Sequence, residues 1–179
     1  MIIGIVCVNN DWAIGKNNGL LYNLKADMDN FRTITTNFGD GAFVCMGENT
    51  LRSLPGGKAL KKRVNIVLCR ESHEYEDCIC IHTFDEFIKN IKLISKQFDV
   101  YVIGGGMLYK SMLPYYDKII VTKVDHSDPE ATVFFPNIDL DKNFKCTFTS
   151  KVQEEKGYKF TFNSYYRVSK EPSKELVNE

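Results

Sequence analysis

Val100-Tyr101-Val102-Ile103-Gly104-Gly105-Gly106-Met107-Leu108-Tyr109 passes from an apolar strand pattern through three glycines into a helical pattern. Glycines at a strand-to-helix junction let the backbone approach a ligand closely, and the amides that open the next helix point at an anion, usually a phosphate. The stretch points to a nucleotide-type cofactor, although the same run also fits a plain tight connection. It also sets the unit of the fold: strand, turn, helix.

That unit recurs on both sides. Short apolar runs predict strands at about residues 2 to 9, 42 to 46, 64 to 69, 78 to 81, 99 to 103, 118 to 124, 145 to 152 and 158 to 166. Helical patterns fall between many of them. Asp85 to Ile94 repeats apolar residues three and four apart, and Thr83 with Glu86 has the form of a capping box at its start. The alternation argues for an α/β fold: a mostly parallel central sheet of about eight strands, flanked by about four helices covering both faces. The last two runs, separated by Gln153 to Gly157, read instead as a C-terminal antiparallel hairpin. Residues 1–168 form a single domain on this reading, and 169–179, rich in Lys, Glu and Ser, a polar, flexible tail.

Bulk composition narrows the function. With 179 residues, 44% of them hydrophobic, the chain can bury one substantial core. Its 23 basic and 23 acidic residues cancel, so no net field draws it to nucleic acid or to an anionic membrane. The apolar start, Met1 to Val8, lacks a basic leader and stops at Asn9-Asn10-Asp11, so it reads as a buried first strand rather than a signal or a span. Cys7, Cys45, Cys69 and Cys146 lie in or beside strand runs and read as buried free thiols. Cys78 and Cys80 form a lone C-x-C without a second pair at zinc spacing, so no metal is expected, and the thiols suit a reducing cytoplasm.

One acid stands in an unusual place. The apolar stripe of the helix Asn23 to Ile34 passes through Leu24, Met28, Phe31 and Ile34, and Asp27 lies on it, while Asp29 points elsewhere. A carboxylate on an apolar face must be desolvated or paired, which shifts its pKa and suits it to bind an amidine-like group or to acid chemistry. The plainer reading is an acid in the first turn of a helix, complementing its dipole.

These clues join in a resemblance. Asp11-Trp12-Ala13-Ile14-Gly15, Leu24-x-x-Asp27 with Phe31, Met46-Gly47-x-x-Thr50, Leu60-x-x-Arg63, Ile103-Gly104-Gly105-Gly106 with Tyr109, and Thr122 stand in the order and at the spacing of the dihydrofolate reductases. The chain resembles that family from residue 1 to about residue 166. The resemblance implies that NADPH delivers a hydride to C6 of 7,8-dihydrofolate while N5 is protonated, giving tetrahydrofolate for one-carbon metabolism and thymidylate synthesis. It also implies a cytoplasmic monomer that binds antifolates and neither nucleic acid nor membrane.

Residue roles follow from the same resemblance. Asp27 is the carboxylate of the pteridine pocket, holding N3 and the 2-amino group; Thr122 orients it, and Tyr22 joins them as the third catalytic residue. Ile5, Met28, Phe31, Leu54, Leu60, Ile103 and Tyr109 surround the substrate, and Arg63 grips the carboxylate of its glutamate tail, which suits a planar guanidinium. Gly104, Gly105 and Gly106 seat the cofactor pyrophosphate, and Gly47, Asn49 and Thr50 form a second phosphate-binding helix start. Backbone groups of Cys7 and Ile14 hold the nicotinamide carboxamide, with Gly15 and Leu20 in the closing loop from Ala13 to Asn23. Leu108 and Tyr109 complete that site, together with Cys69 and Arg70 at the adenosine end.

The chain also departs from the family. Glu48 and Met107 stand where arginines are usual beside the phosphates, and Arg70 falls where the 2′-phosphate is bound. Leu21-Tyr22 replaces a Pro-Trp pair, Cys7 replaces a common Ala, and Ala131 replaces the acid before Thr132 that can latch the closing loop. Two other readings stand beside this one: a reductase of the same fold acting on another pterin or a pyrimidine, against which Asp27 and Arg63 argue, and a nucleotide-binding protein without chemistry. A hydrolase does not fit, because no nucleophile with a His partner is evident.

Overall fold

A computed structural model describes residues 1–36 and 42–168 of the chain. The strand β1 (Ile2–Val8) leads into a small hairpin, β2 (Ala13–Lys16) and β3 (Gly19–Leu20), and then into helix α1 (Lys25–Thr36). Next come β4 (Ala42–Gly47), α2 (Glu48–Ser53), β5 (Arg63–Leu68), β6 (Cys78–Ile81), α3 (Phe84–Ile94), β7 (Val100–Val102) and α4 (Gly106–Met112). The chain continues through β8 (Lys118–Val124), β9 (Val133–Phe134), β10 (Phe144–Thr149), β11 (Gln153–Glu155) and β12 (Tyr158–Arg167). The tail expected at 169–179 lies outside the described residues.

The main sheet runs β10-β12-β8-β1-β7-β4-β5-β6, with β11 paired to β12 off this path. From β8 to β6 every neighbouring pair is parallel, whereas β12 is antiparallel to β8, β10 and β11. This is the expected α/β sheet of eight strands with four helices and an antiparallel C-terminal end.

Alternation along β1 decides what each face does. Ile2, Val6 and Val8 enter one core with Phe87, Ile88 and Ile91 of α3 and Met112 of α4, while Ile3 and Ile5 enter another with Leu51 of α2 and Phe31 and Ile34 of α1. A strand covered on both faces reads as one continuous apolar run. Burying each Leu, Ile or Phe contributes about 1.5–3 kcal/mol, so α3 is held mainly by its inner face. Its start is fixed by Thr83, whose side chain accepts from the Glu86 amide.

Four short strands escaped the sequence reading. β2 and β3 are joined by Asn17 and Asn18, both at positive φ (50° and 60°), so a two-residue turn closes a hairpin inside the segment read as a loop. β9 adds to β2 through Ala13 opposite Phe134 and Gly15 opposite Val133. Near the C-terminus, Gln153–Glu155 is itself a strand; the tight turn is Lys156-Gly157, at φ 52° and 81°. Two of the four thiols read as buried are so, Cys45 and Cys69; Cys7 is half-buried, and Cys146 is exposed because β10 lies at the edge of the sheet.

Candidate active site

The C-terminal ends of β1, β4 and β7, the start of α1 and the middle of β8 converge on one region. Cys7 of β1 pairs in register with Thr122 of β8, and Asp27 in the first turn of α1 faces this pair. The Thr122 hydroxyl donates to Asp27 Oδ1 at 2.5 Å. Burial pushes the Asp27 carboxyl above its ordinary range against the opposing pull of the Thr122 bond, and the negative charge of Glu155 adds to the rise. Asp27 therefore meets both sequence readings: it stands in the first turn and is bonded inside the protein.

The helix that carries Asp27 is tied down from far along the chain. The amides of Lys25 and Ala26 donate to the Glu155 carboxylate at 2.6 and 3.0 Å, so β11 satisfies two of the free donors at the start of α1. Asp29, as expected, points outward and pairs with Lys25 and Arg32.

Around Asp27 the proposed walls separate by element. Ile5, Phe31, Leu54, Leu60 and Ile103 share one apolar cluster. Tyr22, Leu24 and Cys7 share another with Phe160 of β12. The Tyr109 ring is buried, and its hydroxyl donates to the Ile5 carbonyl at 2.7 Å, locking α4 to β1. Met28, placed on the apolar stripe from sequence, is instead 42% exposed. Tyr22 is buried and its hydroxyl is hydrogen-bonded to His126 Nδ1 at 2.8 Å, a partner that sequence gave no sign of.

Arg63 opens β5 against the far half of α1. Its Nη1 donates to Thr35 Oγ1 at 3.0 Å and its Nε to the Lys61 carbonyl at 2.9 Å. Burial, then the nearby charge of Arg32, lowers its pKa. Among the described residues the guanidinium is oriented by neutral oxygens rather than by a carboxylate.

The glycine turn lies next door. The Gly47 amide donates to the Gly104 carbonyl at 2.8 Å, and the Ile103 amide donates to the Cys45 carbonyl at 2.9 Å. Gly104 has φ 137°, and a Cβ there would meet Thr50 Oγ1 at 3.0 Å. A Cβ on Gly106 would meet the Val133 side chain at 2.6 Å, so a side chain is excluded on both sides of the turn. Gly105 precedes α4, and Gly47 precedes α2, with no side chain capping either helix start. This cradle of small residues and unclaimed amides fits a pyrophosphate. Above it, Ile14 and Leu108 are buried and Gly15 pairs with Leu20 and Val133. Leu20 and Met107, by contrast, are 70% and 88% exposed and join none of the apolar clusters.

Glu48 behaves unlike a residue facing a phosphate. Its side chain is only 6% exposed beneath Arg52, Arg70 and His73. The Tyr75 hydroxyl donates to Oε1 at 2.6 Å, Arg52 Nη2 donates to it at 3.1 Å, the His73 ring bonds it, and Arg70 Nε stands 3.8 Å from Oε2. The Tyr75 bond, opposed by burial and helped by His73, holds the carboxyl down at about 2. Glu48 and Arg52, four apart on a helix, could have been paired from sequence; His73 and Tyr75 on the β5–β6 connection could not. Asn49 is exposed, and Cys69 is buried just before Arg70.

Among the described residues no group of His, Cys, Asp or Glu could hold a metal ion, and no helix is long and apolar enough to cross a membrane.

Known proteins match this sequence over nearly its whole length. The family model described as dihydrofolate reductase matches residues 1–167. A dihydrofolate reductase of Staphylococcus haemolyticus is 29% identical over 92% of this chain and 94% of the relative. Those of Haemophilus influenzae and Rattus norvegicus are each 34% identical, the first over 77% of this chain and 80% of the relative, the second over 90% and 94%. The chain belongs to the dihydrofolate reductase family, oxidoreductases that use NADPH to reduce 7,8-dihydrofolate to tetrahydrofolate in one-carbon metabolism and that bind antifolates.

Proposed function

We propose that Asp27, Thr122 and Tyr22 form the reacting end of this site. The reading is carried by the Thr122–Asp27 bond at 2.5 Å together with the raised carboxyl it holds. Asp27 takes the N3 and 2-amino hydrogens of the pteridine, and Thr122 fixes which oxygen faces them. NADPH supplies the hydride. Asp27 raises the basicity of N5 by polarising the ring, and the N5 proton comes through water, since the carboxylate does not reach that atom. Tyr22, held by His126, closes the pocket on the side of Cys7.

Ile5, Phe31, Leu54, Leu60 and Ile103 form the apolar channel for the ring system, with Met28 at its mouth and Tyr109 behind Ile5. Arg63 binds the carboxylate of the glutamate tail in a charge-assisted pair, and Arg32 adds positive potential nearby. Toward the cofactor, Gly104, Gly105, Gly106 and Thr50 take the pyrophosphate, backbone groups of Cys7 and Ile14 the carboxamide, and Arg70 with Cys69 the adenosine end. Gly15, Leu20, Gly47, Asn49, Met107, Leu108 and Tyr109 complete the cofactor contacts. In place of the missing acid at Ala131, Lys16 Nζ pairs with Asp128 at 2.7 Å and Glu130 at 3.4 Å, which supports a different latch for the closing hairpin.

The chain works on this reading as one unit over residues 1–168, a cytoplasmic monomer without affinity for nucleic acid. The balanced charge and the free thiols support it. Following cofactor absorbance in a mixture of protein, dihydrofolate and NADPH tests the activity. Oxidation above the blank is expected, and its absence in folded protein rejects the reading. Light scattering at working concentration should return the mass of one chain.

A further inference from the structure

Glu48 opens α2 at the C-terminal end of β4, and its carboxylate sits inside a ring drawn from two elements. Arg52 comes from α2 itself, and Arg70, His73 and Tyr75 come from the β5–β6 connection. Arg52 Nε also donates to the Tyr75 hydroxyl at 2.9 Å, so the ring is cross-braced. Of the other charges on that connection, Glu74 is paired with His82 at 3.3 Å, and Glu71, Glu76 and Asp77 are exposed. The partners of Glu48 lie at the surface, Arg70 at 75% exposure and Arg52 at 51%, while Glu48 lies beneath them.

This ring is one residue from the glycine turn, because Gly47 is bonded to Gly104 and Thr50 packs against Gly104 and Gly105. In open parallel sheets a dinucleotide lies across the C-terminal strand ends. With its pyrophosphate on the glycine turn, such a cofactor would bring its adenosine ribose toward the neighbouring strand ends. There, a carboxylate suits an unphosphorylated ribose, whose 2′-hydroxyl can donate to it, and an arginine suits a 2′-phosphate. Here β4, β5 and β6 are consecutive parallel neighbours, and their ends carry both groups, paired with each other. A phosphate dianion brought to Arg70 meets the charge of Glu48, whose Oε2 stands 3.8 Å from Arg70 Nε.

We infer that Glu48 sets how strongly this chain discriminates between the 2′-phosphorylated and the unphosphorylated dinucleotide, by filling with its own carboxylate the cationic ring that would otherwise hold the 2′-phosphate. The inference rests on the cofactor reading above. It makes NADH a usable partner beside NADPH, and it makes Arg52 and Arg70 latent phosphate ligands.

Calorimetric titration of the full chain with NADP+ and with NAD+ tests this. The unsubstituted protein should bind the two with dissociation constants within about tenfold of each other, and Glu48→Gln should shift the ratio toward NADP+ by about tenfold or more. Adding Arg70→Gln to Glu48→Gln should remove most of that gain. A preference for NADP+ above about tenfold in the unsubstituted protein overturns the inference, as does a ratio that Glu48→Gln leaves unmoved. The first measurement needs no variant and so decides even if Glu48→Gln fails to fold. If neither nucleotide binds or supports dihydrofolate reduction, the cofactor reading falls and the inference with it.

Discussion

Asp27 and Glu48 are carboxylates near the starts of two helices, each drawn under neighbouring side chains, and their surroundings push them in opposite directions. Asp27 has one neutral donor, Thr122, and a like charge in Glu155, so desolvation wins and its carboxyl rises. Glu48 has the Tyr75 hydroxyl, the His73 ring and the Arg70 backbone as partners, so partners win and its carboxyl falls to about 2. Desolvation outweighs one neutral donor at Asp27, and several donors outweigh desolvation at Glu48. One site tightens the carboxyl's hold on its proton; the other keeps the carboxylate charged down to strongly acidic pH.

The strongest way to break the contrast is to neutralise Asp27. Asp27→Asn should lower kcat/KM at neutral pH by about 10²- to 10⁴-fold while the circular dichroism of the fold persists. Near-normal turnover in the folded variant would refute the assignment. Thr122→Val is gentler: without the bond that lowers it, the Asp27 carboxyl rises further. The pH profile of kcat/KM should move to higher pH, with a loss of about tenfold.

Stability sharpens the contrast from the other side. A carboxyl held at about 2 in the fold, against 4.5 when free, stabilises the protein above pH 4.5, and that contribution disappears as pH falls toward 2. Thermal unfolding of Glu48→Gln should therefore be less sensitive to pH across that window than unfolding of the unsubstituted chain. For Asp27 the sign is reversed. Its raised value means the folded state binds the proton more tightly, so its contribution is intact below 3.8 and is lost as pH rises through the folded value. Asp27→Asn should then melt slightly higher at neutral pH, and the advantage should vanish in acid. A lower melting temperature at neutral pH would count against the desolvated carboxylate.

The two carboxylates also mark how far the chain can be read before it folds. Asp27 was legible because a charge interrupts a 3.6-residue apolar period, and the glycine turn was legible because its glycines sit between two recognisable patterns. The parallel core was legible for the same reason: strands covered on both faces leave unbroken apolar runs such as Ile2 to Val8. Glu48 was legible only as a departure from family habit, and its meaning came from His73 and Tyr75, on a connection with no periodicity. β2, β3, β9 and β11 were missed because strands of two to four residues leave too short a pattern, and Asn17-Asn18 is a weaker turn signal than Asn-Gly. Cys146 was misread because an edge strand has a wet face that composition does not reveal.

The bond from Glu155 to the amides of Lys25 and Ala26 carries a consequence in time. The helix bearing Asp27 is made early, yet two of its opening amides find their acceptor 130 and 129 positions later. During synthesis, α1 emerges and can pack its apolar face long before β11 exists. The central strands can assemble first, but Asp27 gains its final setting only once the C-terminal hairpin has docked on β8. A nascent chain stopped short of Glu155 would hold most of the sheet and an unfinished site.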